Sequence, residues 1–253
     1  MDVKKNEKKH KDILFKALAV VFALVLWEIT AKLIDEKIIL VGPIAVFKRL
    51  LSIWQEPYFF DSIVFSMTRI AAGFFAAFII GLILAAMAYH YKFIEYIIWP
   101  FMITVKSVPV ASFVVICLIV FTARNLGALI SFLVVLPVIY TNVLEGLKSQ
   151  DSKLLQMCEV FRVGFIKKTR HVTLPAISTH LISATKISAG MAWKAGVAAE
   201  IIGIPEGSIG KMLYLSKIYI DTDDLLAWTV VIVVISVLFE KTVVWLSGKI
   251  TRV

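Results

Sequence analysis

The sequence predicts an all-α, polytopic membrane protein, a bundle of about six membrane-spanning helices. Of its 253 residues, 60% are hydrophobic, whereas soluble domains are about 45–50% apolar. These residues are gathered in six runs of about 20 residues, the length a helix needs to cross about 30 Å of hydrocarbon. Because the cations cluster at the ends of these runs, the net charge of +9 indicates membrane orientation rather than nucleic-acid binding.

The predicted spans cover residues 13–34, 63–89, 93–121, 126–144, 177–202 and 225–246. We expect Pro100 and Pro109 to break the third span, because proline interrupts helical hydrogen bonding. Residues 122–125 alone separate the third span from the fourth, which suits a tight helical hairpin. Residues 1–61 are predicted to form an N-terminal tail, the first span and an external amphipathic segment. Residues 62–248 form the membrane core with a polar loop at 147–175, and residues 249–253 form a tail.

Two connections outside the membrane have a sequence signature of their own. Residues 43–54 are predicted to form a helix, begun by Pro43 at its first turn and anchored at the outer interface by Trp54. Residues 203–224 carry Gly203, Gly207 and Gly210, which suit either a loop that turns sharply or an ordinary surface connection.

The distribution of Lys and Arg predicts the orientation of the spans, because cytoplasmic loops carry an excess of these residues. The N-terminal tail and the loop at 147–175 are the most basic segments. We therefore expect the N-terminus, Lys92, Lys167 and the C-terminus to be cytoplasmic. Lys37, Lys48, Arg49, Arg124, Lys211, Lys217 and Asp223 fall on the external side.

The loop at 147–175 is also amphipathic. It carries six cations, and its apolar residues recur at roughly helical spacing, which predicts a short helix; these residues are Leu154, Leu155, Met157, Cys158, Phe161 and Phe165. A helix outside the membrane must bury its apolar face against something. Both the headgroup surface and a partner protein fit this pattern.

No catalytic or metal-binding motif accompanies these spans. The four histidines are scattered, the two cysteines suggest neither a disulfide framework nor a metal site, and the chain has neither a P-loop nor a GxSxG elbow. We therefore predict a protein that is not an enzyme and binds no metal or cofactor. Polar residues inside membrane segments often mark a pathway, and the candidates here are Lys106, Ser107, Pro109, Trp193 and Glu200.

Small residues form a ridge along the second span. Gly73, Ala77, Gly81 and Ala85 recur every four residues and therefore share one helix face. Such faces let two helix backbones approach closely in lipid. The ridge predicts close packing either within the bundle or across a dimer.

The loop sequence LLQMCEVFRVGFIKKTRHVTLP resembles the EAA loop of permease subunits from bacterial binding-protein-dependent ABC importers. The family pattern is E-A-A, three residues, G, nine residues, I-x-L-P. Aligned on Leu174 and Pro175, the pattern places Val172 at its isoleucine, Arg162 at its glycine and the segment 156–158 at E-A-A. Gly164 is expected to supply the turn that the family glycine makes. The resemblance extends through VGPIAVFKRL, KSVPVASF and ISAGMAWKAGVAAEIIG and is closest to the nitrate, sulfonate and taurine branch.

The resemblance implies that two permease copies, expected to be a homodimer, form the translocation path in the bacterial cell membrane. It also implies cytoplasmic ATPase subunits that hydrolyse ATP and an external substrate-binding protein. The residues expected to couple the permease to the ATPase are Gln156, Met157, Cys158, Phe161, Arg162, Gly164, Leu174 and Pro175. A sulfonate, taurine, nitrate or a related small solute is the expected cargo. An ion-coupled secondary transporter and a membrane scaffold remain alternatives.

Overall fold

The computed structural model describes residues 2–34, 36 and 38–251, with side chains from residue 14 to residue 249 except 35 and 37. Lys37, the side chains of the N-terminal lysines and the last residues of the predicted tail lie outside this part. The described residues form helices and no strand, which confirms the predicted all-α fold. The α-helices are α1 (Asp2–Ile34), α2 (Pro43–Ile53), α3 (Phe59–His90), α4 (Lys92–Ser107), α5 (Val110–Val120), α6 (Leu126–Lys148), α7 (Ser152–Val160), α8 (Phe165–Lys168), α9 (Leu174–Gly203), α10 (Ile209–Ile218) and α11 (Thr222–Thr251).

Four stretches of the described chain are helical, long and apolar enough to cross a membrane: Leu14–Ile34, Phe59–His90, Ala123–Lys148 and Thr222–Lys249. Helices α4 and α5 make a fifth if they are one broken span. The remaining predicted span, 177–202, lies within α9. This 30-residue helix is less apolar because it carries Lys186, Lys194 and Glu200.

The third predicted span is broken once, at Pro109. Helices α4 and α5 meet at an angle of 108°, and Val108 between them is extended, with φ −78° and ψ 132°. A residue that precedes proline is forced out of the helical region by the proline ring. The predicted break at Pro100 is wrong, because Pro100 lies inside the uninterrupted helix α4.

The described residues form two compact units, divided near residues 59, 211 and 230. The smaller unit contains α1, α2, most of α10 and the first turns of α11. In it, α2 begins with Pro43 as predicted and buries Val46 and Ile53. Gly42 precedes this helix, where an added Cβ would lie 2.4 Å from Oε2 of Glu28. A larger residue at the start of α2 would therefore require the Glu28 carboxylate to move.

The larger unit is organised around α6 and α9, which make the most extensive helix pair within it. Its apolar centre contains Val114, Cys117, Leu126, Ile130, Ala195 and Ala199, contributed by α5, α6 and α9. After α9 the chain turns at two left-handed residues, Ile204 (φ 49°) and Gly207 (φ 77°), and then enters α10. Of the two alternatives predicted for this segment, the structure therefore has the sharp turn.

Candidate coupling loop and buried polar site

Helix α7 is the amphipathic helix predicted within the polar loop. Asp151 caps its N-terminus, since the Asp151 carboxylate accepts a hydrogen bond of 2.8 Å from the backbone N–H of Lys153. An N-cap of this kind fixes where a short helix begins. The helix then places its residues on two faces with different surroundings.

The inner face of α7 is buried and its outer face is apolar but exposed. Cys158 is 4% exposed, whereas Met157 is 48%, Val160 78% and Phe161 74% exposed. Cys158 was predicted to contribute apolar area to a partner. In this arrangement the inner face turns the thiol toward the protein's own core, so Met157 and Phe161 supply the exposed apolar part of the predicted contact. The outer apolar face has no cover within the described part of this chain.

The loop turns back after α7 at Arg162, which has a left-handed φ of 48°. This conformation disfavours residues that carry a Cβ and is adopted freely by glycine. The position is the one at which the family pattern has glycine, so the structure gives a physical reason for that pattern. The expectation that Gly164 supplies the turn is wrong: Gly164 has φ −60° and ψ 150° and precedes α8.

A π-helical turn, Thr169–Thr173, joins α8 to α9. Leu174 and Pro175, the end of the recognised motif, form the first residues of α9. Proline is accommodated at the start of a helix because its missing N–H needs no partner there. The other predicted coupling residues, Gln156 to Gly164, lie in α7 and the turn that follows it.

Glu200 lies in a separate buried polar site in the larger unit. Its side chain is fully buried, and Oε2 accepts hydrogen bonds from the hydroxyl of Ser66 at 2.6 Å and the backbone N–H of Gly210 at 3.3 Å. The Ser66 oxygen accepts in turn from the N–H of Ile209 at 3.0 Å. The network fixes the start of α10 against α3 and α9.

The packing around Glu200 is close. A Cβ added at Gly127 would lie 3.0 Å from Glu200 Oε1, and one added at Gly210 would lie 2.3 Å from the Glu200 Cβ. Oε1 itself has no hydrogen-bond partner in the described part of the protein. The sequence analysis identified Glu200 as a candidate functional residue but did not identify its partner Ser66. The available signal was the pair of serines at 62 and 66, one helical turn apart in an apolar span.

The predicted path residues do not share one environment. Lys106, Ser107 and Pro109 are exposed around the break between α4 and α5, and the Lys106 ammonium donates to the Thr141 hydroxyl at 3.2 Å. Trp193 is buried in α9 and packs against Phe239, with ring centroids 6.1 Å apart. The break and the buried site of Glu200 are thus two distinct features of this unit.

The small-residue ridge of α3 packs against α6. A Cβ added at Gly73 would lie 2.1 Å from the carbonyl oxygen of Ala128, and one at Gly81 would lie 3.0 Å from Ile139. Ala77 and Ala85 on the same face are fully buried. The ridge is therefore occupied within the chain.

The smaller unit holds an ion-pair cluster on α2. The Arg49 guanidinium lies 2.8 Å from Asp224 and 3.3 Å from Glu56, and the Ser216 hydroxyl donates to the other Asp224 oxygen at 2.7 Å. Burial lowers the pKa of Arg49, but the hydrogen bonds and charges of Asp224 and Glu56 outweigh it and raise that pKa above its ordinary value. Among the described residues, no group of three or more His, Cys, Asp or Glu side chains is placed to hold a metal ion.

Comparison with known proteins assigns this architecture to a family. Residues 77–251, more than half of the chain, match the family described as "Binding-protein-dependent transport system inner membrane component". Similar proteins include the bicarbonate transport system permease protein CmpB of Synechococcus elongatus, 24% identical over 99% of this chain and 94% of that protein. The taurine transport system permease protein TauC of Escherichia coli is 24% identical over 89% of this chain and 84% of its own length.

A third similar protein is the putative aliphatic sulfonates transport permease protein SsuC of Bacillus subtilis, 25% identical over 76% of this chain and 70% of that protein. TauC and SsuC are named for taurine and aliphatic sulfonates, two of the solutes that characterise the branch the loop motif resembles. The apolar helices of the described chain agree with a multi-pass protein of the membrane. The chain therefore belongs to the family of inner-membrane permease subunits of binding-protein-dependent ABC importers.

Proposed function

We propose that this chain forms the translocation path of an importer and that α7 couples it to a cytoplasmic ATPase subunit, which hydrolyses the ATP. The observation that carries the proposal is the exposed outer face of α7, where Met157, Val160 and Phe161 have no cover in the described chain. Aromatic and Met side chains are enriched where proteins bind each other. Arg162 follows directly and adds a charged donor.

The proposed mechanism is rigid-body coupling. Closure of the ATPase subunits would pull α7, and the movement would pass through α8 and the π-helical turn to α9. These three elements follow one another along the chain without a loop. Access to the path would then alternate between the two sides of the membrane. Lys106, Ser107 and Pro109 at the break, with Trp193 and Glu200 on α9, are the residues we propose along or beside that path.

The cargo we propose is a small solute such as a sulfonate, taurine, nitrate or bicarbonate. The support is that relatives are named for bicarbonate, aliphatic sulfonates, taurine and nitrate transport. An external binding protein would deliver this cargo, as the family description implies.

We further propose that two copies of the chain work together. Since the ridge at Gly73 and Gly81 is occupied by α6, the second copy must use another surface. The mass of the intact complex in detergent tests this proposal. A functional complex with a single permease copy would refute it.

The orientation we propose has both termini, Lys92 and Lys167 in the cytoplasm and Lys48 and Asp223 outside, as the excess of Lys and Arg indicates. A cysteine at position 167 should resist an impermeant thiol reagent in intact cells. Ready labelling there would contradict the orientation.

Purification of the tagged chain from cells that co-express a candidate ATPase and binding protein tests the proposed function. We expect the ATPase to co-purify and the binding protein with its solute to stimulate ATP hydrolysis. Solute transport by the chain without any ATPase would support an ion-coupled transporter instead. Lipid binding without transport would support a scaffold.

A further inference from the structure

A cavity of about 200 Å³ lies at the base of the coupling loop, where α3 and α6 end beside α7 and α8. Leu147, Leu155 and Phe165 supply an apolar wall. His90, Lys168 and Thr169 supply polar groups. The cavity therefore combines an apolar surface with a cationic one.

Lys168 distinguishes this cavity from an ordinary surface groove. Its side chain is only partly exposed, and within the described residues no carboxylate lies within ion-pair distance of its ammonium group. No Asp or Glu lines the cavity among those residues. A partly buried cation without a partner favours an anion.

Two of the other polar side chains at the cavity already have partners. The Gln150 amide donates to the carbonyl oxygen of Leu147 at 3.0 Å, and the Thr173 hydroxyl donates to the Gln150 side chain at 3.4 Å. Lys168 has no ion-pair partner among the described residues and is the cation at this cavity.

We propose that this cavity binds a small organic anion, with a sulfonate or carboxylate head at Lys168 and a short alkyl body against Leu147, Leu155 and Phe165. The head would form a charge-assisted hydrogen bond with the ammonium group. The alkyl body would remove apolar surface from water.

Such a ligand would restrain the coupling loop. It would touch Leu147 at the end of α6 together with Leu155 of α7 and Lys168 of α8, so it would favour this arrangement of the loop over any in which α7 has moved. A ligand shifts an equilibrium by its difference in affinity for the two states. This regulatory role rests on the proposed function, and it would let imported anion slow further import.

The test uses the permease–ATPase complex in proteoliposomes, with the binding protein and its solute inside and ATP outside. The probe is propane-1-sulfonate, added on the ATP side at constant ionic strength, with propylammonium as the probe of opposite charge. We expect propane-1-sulfonate to inhibit ATP hydrolysis and to raise the thermal unfolding midpoint of the complex without ATP. Propylammonium should do neither.

Two adjacent lysines provide matched variants. Lys168→Gln should weaken inhibition at least about tenfold, as loss of a charged hydrogen bond predicts. Lys167→Gln removes the same charge one residue away, outside the cavity, and should leave inhibition unchanged. Ala86 lines the cavity, and Ala86→Leu, which adds bulk to that wall without changing charge, should also abolish the response.

Equal responses of the parent, Lys168→Gln and Ala86→Leu would overturn the inference, as would equal effects of the two probes. A complex that hydrolyses ATP on stimulation yet ignores propane-1-sulfonate would contradict this site alone. Failure of the chain to associate with any ATPase would instead contradict the proposed function.

Discussion

The Ser66 hydroxyl donates a 2.6 Å hydrogen bond to Oε2 of Glu200, and both side chains are fully buried. The same serine oxygen accepts from the backbone N–H of Ile209. One hydroxyl thus joins α3, α9 and the start of α10. In an apolar interior each of these groups would be costly to leave unpaired.

Ser66→Ala should destabilise the larger unit. The change removes one donor from Glu200 and leaves the Ile209 N–H without an acceptor, and each buried unpaired group costs about 1–3 kcal/mol. Thr68→Ala is the control, because the Thr68 hydroxyl bonds only to carbonyls of its own helix and should change stability by about 0.5 kcal/mol at most. Thermal unfolding in detergent measures the difference. Equal midpoints for the two variants would rule out the network as a source of stability.

Gly73→Ala should force α3 and α6 apart. Its Cβ would lie 2.1 Å from the backbone oxygen of Ala128, and overpacking of this kind costs about 1–3 kcal/mol or more. Gly190→Ala is the matched control, since nothing lies within 4 Å of the added Cβ in α9. That change should be neutral or stabilise by up to about 1 kcal/mol. Unfolding midpoints of both variants check the prediction, which fails if Gly73→Ala is as stable as Gly190→Ala.

Arg162→Gly should stabilise the turn after α7. The left-handed φ of 48° disfavours a residue with a Cβ, so glycine should contribute about 1 kcal/mol. Gly164→Ala should have little effect, because Gly164 has φ −60° and open space around it. Thermal unfolding compares the two variants. Destabilisation by Gly164→Ala together with no gain from Arg162→Gly would place the turn at Gly164 after all.

Asp221 should make stability depend on pH. Its hydrogen bond with Asp223, together with burial and the charges of Asp223 and Asp224, raises the pKa of Asp221 to about 6. An ordinary aspartate has a pKa of about 3.9, so the folded protein retains a proton that the unfolded chain releases. This stabilisation is present below about pH 4 and is lost as pH rises through about 6. The thermal unfolding midpoint of the parent should therefore fall between pH 4.5 and pH 7, and that of Asp221→Asn should fall less. An equal fall in the two proteins would contradict the assignment.

Local chemistry explains which features the sequence predicted. The break at Pro109 follows from a constraint on its immediate neighbour, and the start of α2 at Pro43 is equally local. Pro100 behaves differently because α4 continues through it, at the expense of a single hydrogen bond.

The sequence pattern could not predict which residues far apart in the chain contact each other. The bond between Ser66 and Glu200 joins residues 134 positions apart, and a serine in an apolar helix is by itself a common residue. The ridge at Gly73 predicted a close helix contact but left the partner open, and the structure supplies α6. Arg162 was placed at the family's glycine by alignment, yet its backbone conformation became visible only in three dimensions.

We propose above all that α7 and the turn after it bind the ATPase. Substitution of Phe161 tests this most directly. Burial of an exposed Phe side chain is worth about 1.5–3 kcal/mol, whereas Phe161→Asp would place an unpaired charge in the same contact at a larger cost. Ile166→Asp is the control, since Ile166 is equally exposed in α8 but lies outside the proposed contact.

The measurement is the amount of ATPase that co-purifies with each tagged variant, together with the transport rate in proteoliposomes. We predict that Phe161→Asp inserts normally but loses both ATPase and transport, that Phe161→Ala loses less, and that Ile166→Asp keeps both. Normal ATPase binding and native transport by Phe161→Asp would contradict the assignment of α7 as the coupling helix.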